Sequence, residues 1–209
     1  MLKLTMTTAI LLAAGESTRM GQLKALLPWQ GQPLLRYQAE SLLAAPIERL
    51  VVVLGHRRDE LVPFLPSDKR LSIIDNPDYQ SGKVSSIVAG VAAAPPEDDL
   101  LLIGVDQPRP VGLLEYVIRA HTTARAPITV AAYQGRGGHP IVFGAALRPE
   151  LLAISEATEG LRAILRRHTS EVQRVETGDP LALVNLNTSQ DYEAALLLST
   201  TSSARAGNQ

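Results

Sequence analysis

The sequence predicts an α/β fold of three layers, in which a mostly parallel β-sheet lies between helices on both of its faces. Short apolar runs rich in β-branched residues recur along the chain, and segments with helical periodicity separate most of them. Such alternation of strand and helix is typical of parallel sheets. The runs lack apolar–polar alternation, which suits strands buried on both faces. The predicted strands are residues 8–13, 50–54, 71–74, 100–105, 128–132 and 141–143.

Six segments between or after these strands predict helices. In the first, Pro33 stands where a helix start tolerates proline. Leu35 and the apolar residues four, seven and eight positions after it share one face of that helix. The other predicted helices are residues 57–65, 84–94, 113–124, 160–167 and 189–198.

The chain of 209 residues has a hydrophobic content of 45%, which is enough for one substantial core. We therefore predict a single domain over residues 1–198. Residues 128–143 form a hairpin-like excursion through Gly135, which supplies a strand antiparallel to the others. Residues 199–209 are rich in Ser, Thr, Ala and Gly, so we predict a disordered tail there.

The overall composition excludes several classes of function. A net charge of −1 without a long basic run gives no electrostatic footprint for DNA or RNA. The absence of cysteine excludes a disulfide framework, a thiolate zinc site and a cysteine nucleophile. The apolar stretch at residues 9–14 is shorter than a secretory core, and no stretch is long enough for a membrane helix. We expect a cytoplasmic protein that binds neither nucleic acid nor membrane.

The loop after the first strand has the composition of a phosphate-binding loop. Gly15 and Gly21 allow the backbone to approach a ligand, so that main-chain N–H groups can converge on phosphate oxygens. Arg19 and Lys24 add positive charge. The spacing differs from a P-loop, a dinucleotide fingerprint and a nucleophile elbow. The alternative is an ordinary strand-to-helix turn with solvated charges.

Asp106 follows a buried strand, so its carboxylate should emerge at the carboxyl end of the sheet. A charge in that position is costly without a partner, and Mg²⁺, which binds carboxylate and phosphate oxygens, is a suitable one. The alternative is an aspartate that opens a turn before Pro108. Ligands of parallel sheets bind beyond the carboxyl ends of strands, so we expect Asp106 and the Gly15 loop to share one crevice.

Residues 12–24, with the sequence LAAGESTRMGQLK, resemble the signature loop of the MobA-like nucleotidyltransferases. Residues 26–34 continue that resemblance. Later segments match the family in the same order, and together they cover nearly the whole chain. They are residues 82–87, 106–108, 138–140 and 185–192.

The resemblance implies a Rossmann-like α/β/α fold of the nucleotide-diphospho-sugar transferase type. It also implies Mg²⁺-dependent transfer of CMP or GMP from CTP or GTP to molybdopterin cofactor, with release of pyrophosphate and a client molybdenum enzyme as a further partner. The implied catalytic residues are Lys24, Arg19 and Asp106, and the implied metal ligands are Asp106 and Asn187. The implied nucleotide-binding residues are Leu12, Ala13, Ala14, Gly15, Ser17, Arg19, Gly21, Lys24, Asp75, Asn76, Ser85, Ser86 and Asp106.

Two features of the resemblance point to different nucleotides. The segments 13–15, 26–28 and 106–108 resemble cytidylyltransferase members of the family, and we favour CTP on that basis. Asn185 and Asn187 instead match a form that is frequent in guanylyltransferase members. The Asn187 carbonyl oxygen can still bind a metal or a metal-bound water, although the loss of a carboxylate should weaken metal binding.

Several alternatives stay open at this point. The acceptor can instead be a sugar phosphate or polyol phosphate, or the chain can be a non-catalytic nucleotide-binding accessory protein for a molybdenum enzyme. Residues 75–86 suit either a nucleotide contact or a capped helix start, and His139 suits either an acceptor contact or a structural role. Thr188, Ser189 or Asp191 should cap the last helix. The absence of an obvious base motif favours a phosphate acceptor, which is already ionised at neutral pH.

Overall fold

The computed structural model describes residues 6–16 and 22–206, and the side chains up to residue 199. Nine strands and seven α-helices are formed in this part of the chain. The strands are β1 (Thr7–Ala13), β2 (Pro28–Trp29), β3 (Gln32–Pro33), β4 (Arg49–Leu54), β5 (Leu71–Asp75), β6 (Asp99–Gly104), β7 (Ile128–Tyr133), β8 (Arg136–Phe143) and β9 (Val172–Glu176). The helices are α1 (Leu34–Ala44), α2 (Arg58–Leu61), α3 (Lys83–Ala93), α4 (Val111–Ala124), α5 (Arg148–Leu152), α6 (Leu161–Arg167) and α7 (Ser189–Ala206).

Seven strands form one sheet in the order β5-β4-β1-β6-β8-β7-β9, and β2 pairs with β3 in a separate two-stranded sheet. The pairs among β5, β4, β1 and β6 are parallel, and β7 also pairs with β9 in parallel. β8 is antiparallel to both of its neighbours. The predicted fold class, a mostly parallel α/β sheet with an antiparallel excursion, is therefore confirmed.

The β7–β8 hairpin turns at Gln134 and Gly135, which have φ values of 51° and 75°. Two successive residues with positive φ are typical of the type I′ turn, whose twist matches that of the paired strands. Gly135 adopts such a conformation without steric cost. The turn carries the chain back beside β6, so the antiparallel strand follows from a local feature of the sequence.

The central strand β1 is buried along its whole length. Its odd-numbered residues from Ala9 to Ala13 join a core that includes α1, α4 and α7, whereas Ile10 and Leu12 join a second core that includes α3, α5 and α6. Successive side chains of a strand point to opposite faces, so the sheet is covered by helices on both sides. This arrangement explains why β1 reads as a continuous apolar run.

Four elements have no counterpart in the sequence-based prediction, and one helix is longer than expected. The strands β2 and β3 are only two residues long, β9 is an edge strand with polar residues among its apolar ones, and α5 is only five residues long. α7 continues to Ala206, across most of the segment for which the sequence predicts a disordered tail. Within it the buried Ser199 donates a hydrogen bond from Oγ to the Leu196 carbonyl. None of the helices described is long and apolar enough to cross a membrane.

Gly90 sets the close approach of α3 to the sheet. A Cβ added there would lie 2.4 Å from Ile10 Cγ2 and 3.0 Å from Val53 Cγ2. Both contacts belong to well-packed core side chains, which cannot move away without strain. A glycine at this position lets α3, and with it the helix N-terminus at Lys83, lie close to the ends of β1 and β4.

We predict that Gly90→Ala destabilises the protein by about 1–3 kcal/mol, because the added methyl group overpacks the core between α3 and β1. The matched control is Gly112→Ala in α4, where an added Cβ meets no atom within 4 Å. The control should be neutral or stabilising by up to about 1 kcal/mol through helix propensity. Urea unfolding of both variants measures the difference, and equal stability of the two would contradict this account of α3 packing.

Candidate active site

A cleft of about 290 Å³ lies at the carboxyl ends of β1 and β6. Its walls are the loop after β1, the N-terminal end of α3 and the segment that follows β6. Of the predicted nucleotide-binding residues, the following line it: Leu12, Ala13, Ala14, Gly15, Lys24, Ser86 and Asp106. The predicted convergence of the Gly15 loop and Asp106 on one crevice is thus confirmed.

Three polar side chains from distant parts of the chain meet at this cleft. Lys24 Nζ lies 3.4 Å from Asp106 Oδ2 and 3.4 Å from Asn187 Oδ1. Lys24 is buried, with 9% of its surface exposed, and it begins a short 3-10 turn. The ammonium group therefore offsets the charge of Asp106 in a site that is only partly open to water.

The segment from Asp106 to Pro108 is tied directly to the C-terminal motif. The Asp106 carbonyl accepts a hydrogen bond of 2.8 Å from Leu186 N. The Gln107 side chain bridges the two segments, because Oε1 accepts from Gly104 N and Nε2 donates to Asn185 Oδ1 at 2.6 Å. Asn185 thus bonds to Gln107, while Asn187 Oδ1 faces Lys24.

Arg109 is fully buried and fastens three segments around the site. Its guanidinium donates to the carbonyl oxygens of Pro108, His139, Ala182 and Val184 at 2.9–3.0 Å. Burial lowers its pKa to about 9, against the opposing effects of nearby Asp106 and Asp179, so it remains a cation at neutral pH. The sequence alone gave no signal for this role, because all four bonds go to backbone atoms and most are distant along the chain.

Thr188 and Asp191 form a reciprocal cap at the start of α7. Thr188 Oγ1 accepts a hydrogen bond from Asp191 N, and Asp191 Oδ2 accepts one from Thr188 N at 2.8 Å. This is the capping-box arrangement, and it confirms the predicted cap. Asp191 Oδ2 also accepts from Asn187 N, so the cap fixes the backbone that presents Asn187 to the cleft.

The structure does not bring Asp75, Asn76 and Ser85 to the cleft. Asp75 lies in a separate surface depression beside Gly55. Asn76 is buried and donates to the hydroxyls of Ser85 and Ser86, and Ser85 also donates to the Gly82 carbonyl. These bonds favour a helix start at this segment, with Ser86 alone at the cleft. Ser17, Arg19 and Gly21 lie outside the described residues.

A second cavity, of about 860 Å³, lies next to the cleft, and Lys83 lines both. Four basic side chains and two acidic ones line this cavity; they are Lys83, Arg136, Arg162, Arg174, Glu156 and Glu159. Glu156 Oε1 accepts a hydrogen bond of 2.9 Å from Val84 N at the start of α3. The cavity therefore carries an excess of positive charge, and it adjoins the cleft at Lys83, at the N-terminal end of α3.

The family is decided by a match over most of the chain. The profile of the MobA-like NTP transferase domain matches residues 9–172, which include the cleft loop, Lys24 and Asp106. The chain belongs to the MobA-like NTP transferase family. This membership confirms the expected enzyme class, a nucleotidyltransferase.

Two curated relatives are similar over most of their length. Nicotine blue oxidoreductase of Paenarthrobacter nicotinovorans is 34% identical over 187 residues, which cover 82% of this chain and 87% of the relative. Molybdenum cofactor cytidylyltransferase of Escherichia coli is 26% identical over 188 residues, which cover 89% of this chain and 93% of the relative.

Solved structures share the fold. A nucleotidyl transferase from Methanothermobacter superposes with a TM-score of 0.78 at 24% identity, covering 94% of this chain and 99% of its own. A Mycobacterium tuberculosis protein, solved in complex with manganese, superposes with a TM-score of 0.72 at 22% identity, covering 92% and 99%. These similarities confirm the expected nucleotide-diphospho-sugar transferase type of fold.

The residues of this family member offer few metal ligands. In the described ranges, no three His, Asp or Glu side chains come together as a metal site. Asp106 and Asn187 provide one carboxylate oxygen and one amide oxygen that face the same ammonium group. Such a pair suits a hard cation that takes its other ligands from phosphate and water, as Mg²⁺ does.

His139 lines the second cavity, and its Nδ1 has no hydrogen-bond partner within the described residues. Burial lowers its pKa to about 3, and the positive charges of Lys83 and Arg109 contribute. The imidazole is therefore neutral at physiological pH. A depressed pKa in the folded state makes the unfolded state bind the proton first as the pH falls.

We predict that the folded protein loses about 2 kcal/mol of stability between pH 7 and pH 5 through His139, since the unfolded imidazole takes up its proton as the pH falls through about 6.5 while the folded one stays neutral. The loss should continue until the pH reaches about 3. His139→Gln removes the titrating group. Between pH 7 and pH 5 the unfolding free energy of this variant should therefore fall by about 2 kcal/mol less than that of the wild type. Urea unfolding at both pH values measures this, and identical pH dependence of the two proteins would contradict the assignment.

Proposed function

We propose that this enzyme transfers CMP from CTP to the phosphate of molybdopterin cofactor and releases pyrophosphate, with GTP as the second candidate donor and Mg²⁺ as the metal. One observation carries the proposal. Lys24 Nζ lies 3.4 Å from both Asp106 Oδ2 and Asn187 Oδ1, and Lys24 and Asp106 line a cleft that shares Lys83 with a basic cavity. The cleft has the composition expected for a triphosphate, and the cavity has the charge expected for an anionic acceptor.

Lys24 is placed to act on the triphosphate. Its side chain is largely buried, and residues 12–15 line the same cleft. A charge that is fixed before the substrate binds needs little reorganisation when negative charge develops on the leaving pyrophosphate. We assign to Lys24 the stabilisation of that charge, and to Arg19 a contact with the pyrophosphate portion.

Asp106 and Asn187 would hold the magnesium ion. When bound, this ion neutralises phosphate charge and orients the triphosphate for in-line attack. The single carboxylate is sufficient because Mg²⁺ in nucleotide sites commonly uses one or two protein carboxylates together with phosphate oxygens and waters. The complex of a structural neighbour with manganese supports a divalent ion in this fold.

The second cavity suits a phosphate-bearing acceptor. Its four basic side chains outnumber its two acidic ones, so it attracts anions. His139, the one histidine among its described lining residues, is a poor general base because its pKa is about 3. A phosphate monoester is already ionised at neutral pH and needs no such base, whereas an alcohol acceptor benefits from one.

The relatives support the choice of acceptor and donor. The Escherichia coli relative is named for cytidylyl transfer to molybdenum cofactor, and it aligns over nearly the whole chain. The assay that tests the proposal measures pyrophosphate release from CTP and from GTP, with molybdenum cofactor and a sugar phosphate as separate acceptors. We expect release with CTP and molybdenum cofactor. No release from any pair would contradict the proposal, and the oxidoreductase name of the other relative would then be the better guide.

We predict that Asp106→Asn lowers kcat for pyrophosphate release by about 10²–10³-fold, because the neutral amide cannot offset the metal charge. Lys24→Met should lower kcat by a similar factor through loss of the ammonium group. The control is Asp59→Asn, whose side chain is 94% exposed on α2 and distant from the cleft lining. An unchanged kcat in Asp106→Asn would contradict the assigned role of Asp106. CTP binding without pyrophosphate release by the wild type would instead favour a non-catalytic accessory protein.

A further inference from the structure

We propose that the aromatic ring of Tyr79 is the platform on which the nucleobase of the bound triphosphate stacks. The inference rests on the proposed function and adds to it a base contact that the sequence analysis did not single out. Tyr79 begins the 3-10 turn Tyr79–Ser81, just before α3, and lines the same cleft as Lys24 and Asp106. Tyr79 is therefore part of the wall of the proposed nucleotide site.

The ring is held from behind by the loop after β4. A Cβ added at Gly55 would lie 2.8–2.9 Å from three carbon atoms of Tyr79, so only glycine allows the ring to sit there. The His56 ring lies 5.8 Å from the Tyr79 ring at an angle of 54°, and His56 Nδ1 is 3.4 Å from the Tyr79 hydroxyl. These contacts fix the position of the ring before any ligand binds.

The same loop is joined to the predicted phosphate-binding loop. His56 N donates a hydrogen bond of 3.1 Å to the Ala14 carbonyl. The loop at Gly55 and His56 therefore contacts both the Tyr79 ring and the backbone of residues 13–15. A nucleotide whose phosphates bind beside Lys24 and Asp106 must place its base elsewhere in the cleft, where residues 12–15 offer small or aliphatic surfaces.

Tyr79 is the one aromatic side chain among the described residues that line this cleft. Two of the other aromatic rings, Tyr37 and Tyr192, pack against Trp29, and none of these three residues lines the cleft. Nucleobases present a flat π-face that stacks on aromatic rings, and such stacking tolerates any base. The expected contribution of Tyr79 is therefore to the affinity for nucleotides in general, while the choice between CTP and GTP depends on polar contacts.

The test compares the binding of a ligand that has a nucleobase with the binding of a ligand that has none. Isothermal titration calorimetry measures the binding of CTP and of inorganic tripolyphosphate, each with Mg²⁺, to wild type and to Tyr79→Leu. We expect Tyr79→Leu to weaken CTP binding by about 5- to 100-fold, the range of base–aromatic stacking, and to change tripolyphosphate binding by less than about 2-fold. Tyr79→Phe, which keeps the ring and loses the hydroxyl, should bind CTP like wild type.

A second variant perturbs the ring without removing it. Gly55→Ala should displace Tyr79 and weaken CTP binding selectively, and thermal unfolding of every variant verifies that it is folded. Unchanged CTP binding in Tyr79→Leu, or an equal loss for CTP and tripolyphosphate, overturns the platform but leaves the proposed function standing. Failure of wild type to bind CTP, GTP or tripolyphosphate overturns both.

Discussion

The site depends on a buried guanidinium group. Arg109 donates hydrogen bonds to carbonyl oxygens of Pro108, His139, Ala182 and Val184, and it has no exposed surface. A buried cation is tolerated only when its donors are satisfied, and the carbonyls it serves would be unsatisfied without it. This one side chain joins the end of β6, the strand β8 and the segment that leads to Asn187, which are distant in sequence.

The chemistry of the cleft follows from that arrangement. Because the C-terminal segment is fastened beside β6, Leu186 N reaches the Asp106 carbonyl, and the capping box of α7 then directs Asn187 toward Lys24. Asp106 leaves a fully buried strand and gains the Lys24 ammonium as its partner. At a partly open cleft this ion pair can separate when substrate binds. The ammonium group then pairs with the negative polyphosphate, and the carboxylate pairs with the positive metal ion.

The elements that the sequence predicts well are those determined by local patterns. β1, β4 and β6 are buried on both faces and therefore read as continuous apolar runs, and the β7–β8 turn requires residues that tolerate positive φ. Asp106 could be singled out because a charge directly after such a run needs a partner. The same reasoning fails for edge strand β9, whose residues face both core and solvent.

What the sequence could not supply are contacts between distant segments. Asp75, Asn76 and Ser85 have the composition of a ligand-binding segment, yet the last two satisfy one another at the start of α3. Arg109 and Tyr79 belong to no motif in the sequence. Their roles are evident only from their contacts in three dimensions, Arg109 with the Val184 carbonyl and Tyr79 with Gly55. Local chemistry identifies candidates, whereas the partners available in three dimensions decide between a structural and a ligand-binding role.

The most direct measurement is anomalous X-ray diffraction from crystals grown with CTP and Mn²⁺, an ion that favours the same oxygen ligands as Mg²⁺ and scatters anomalously. The account predicts a manganese peak within direct coordination distance of the Asp106 carboxylate, with Asn187 on the same side and triphosphate density beside Lys24. A manganese ion and a triphosphate bound away from Asp106 would contradict it.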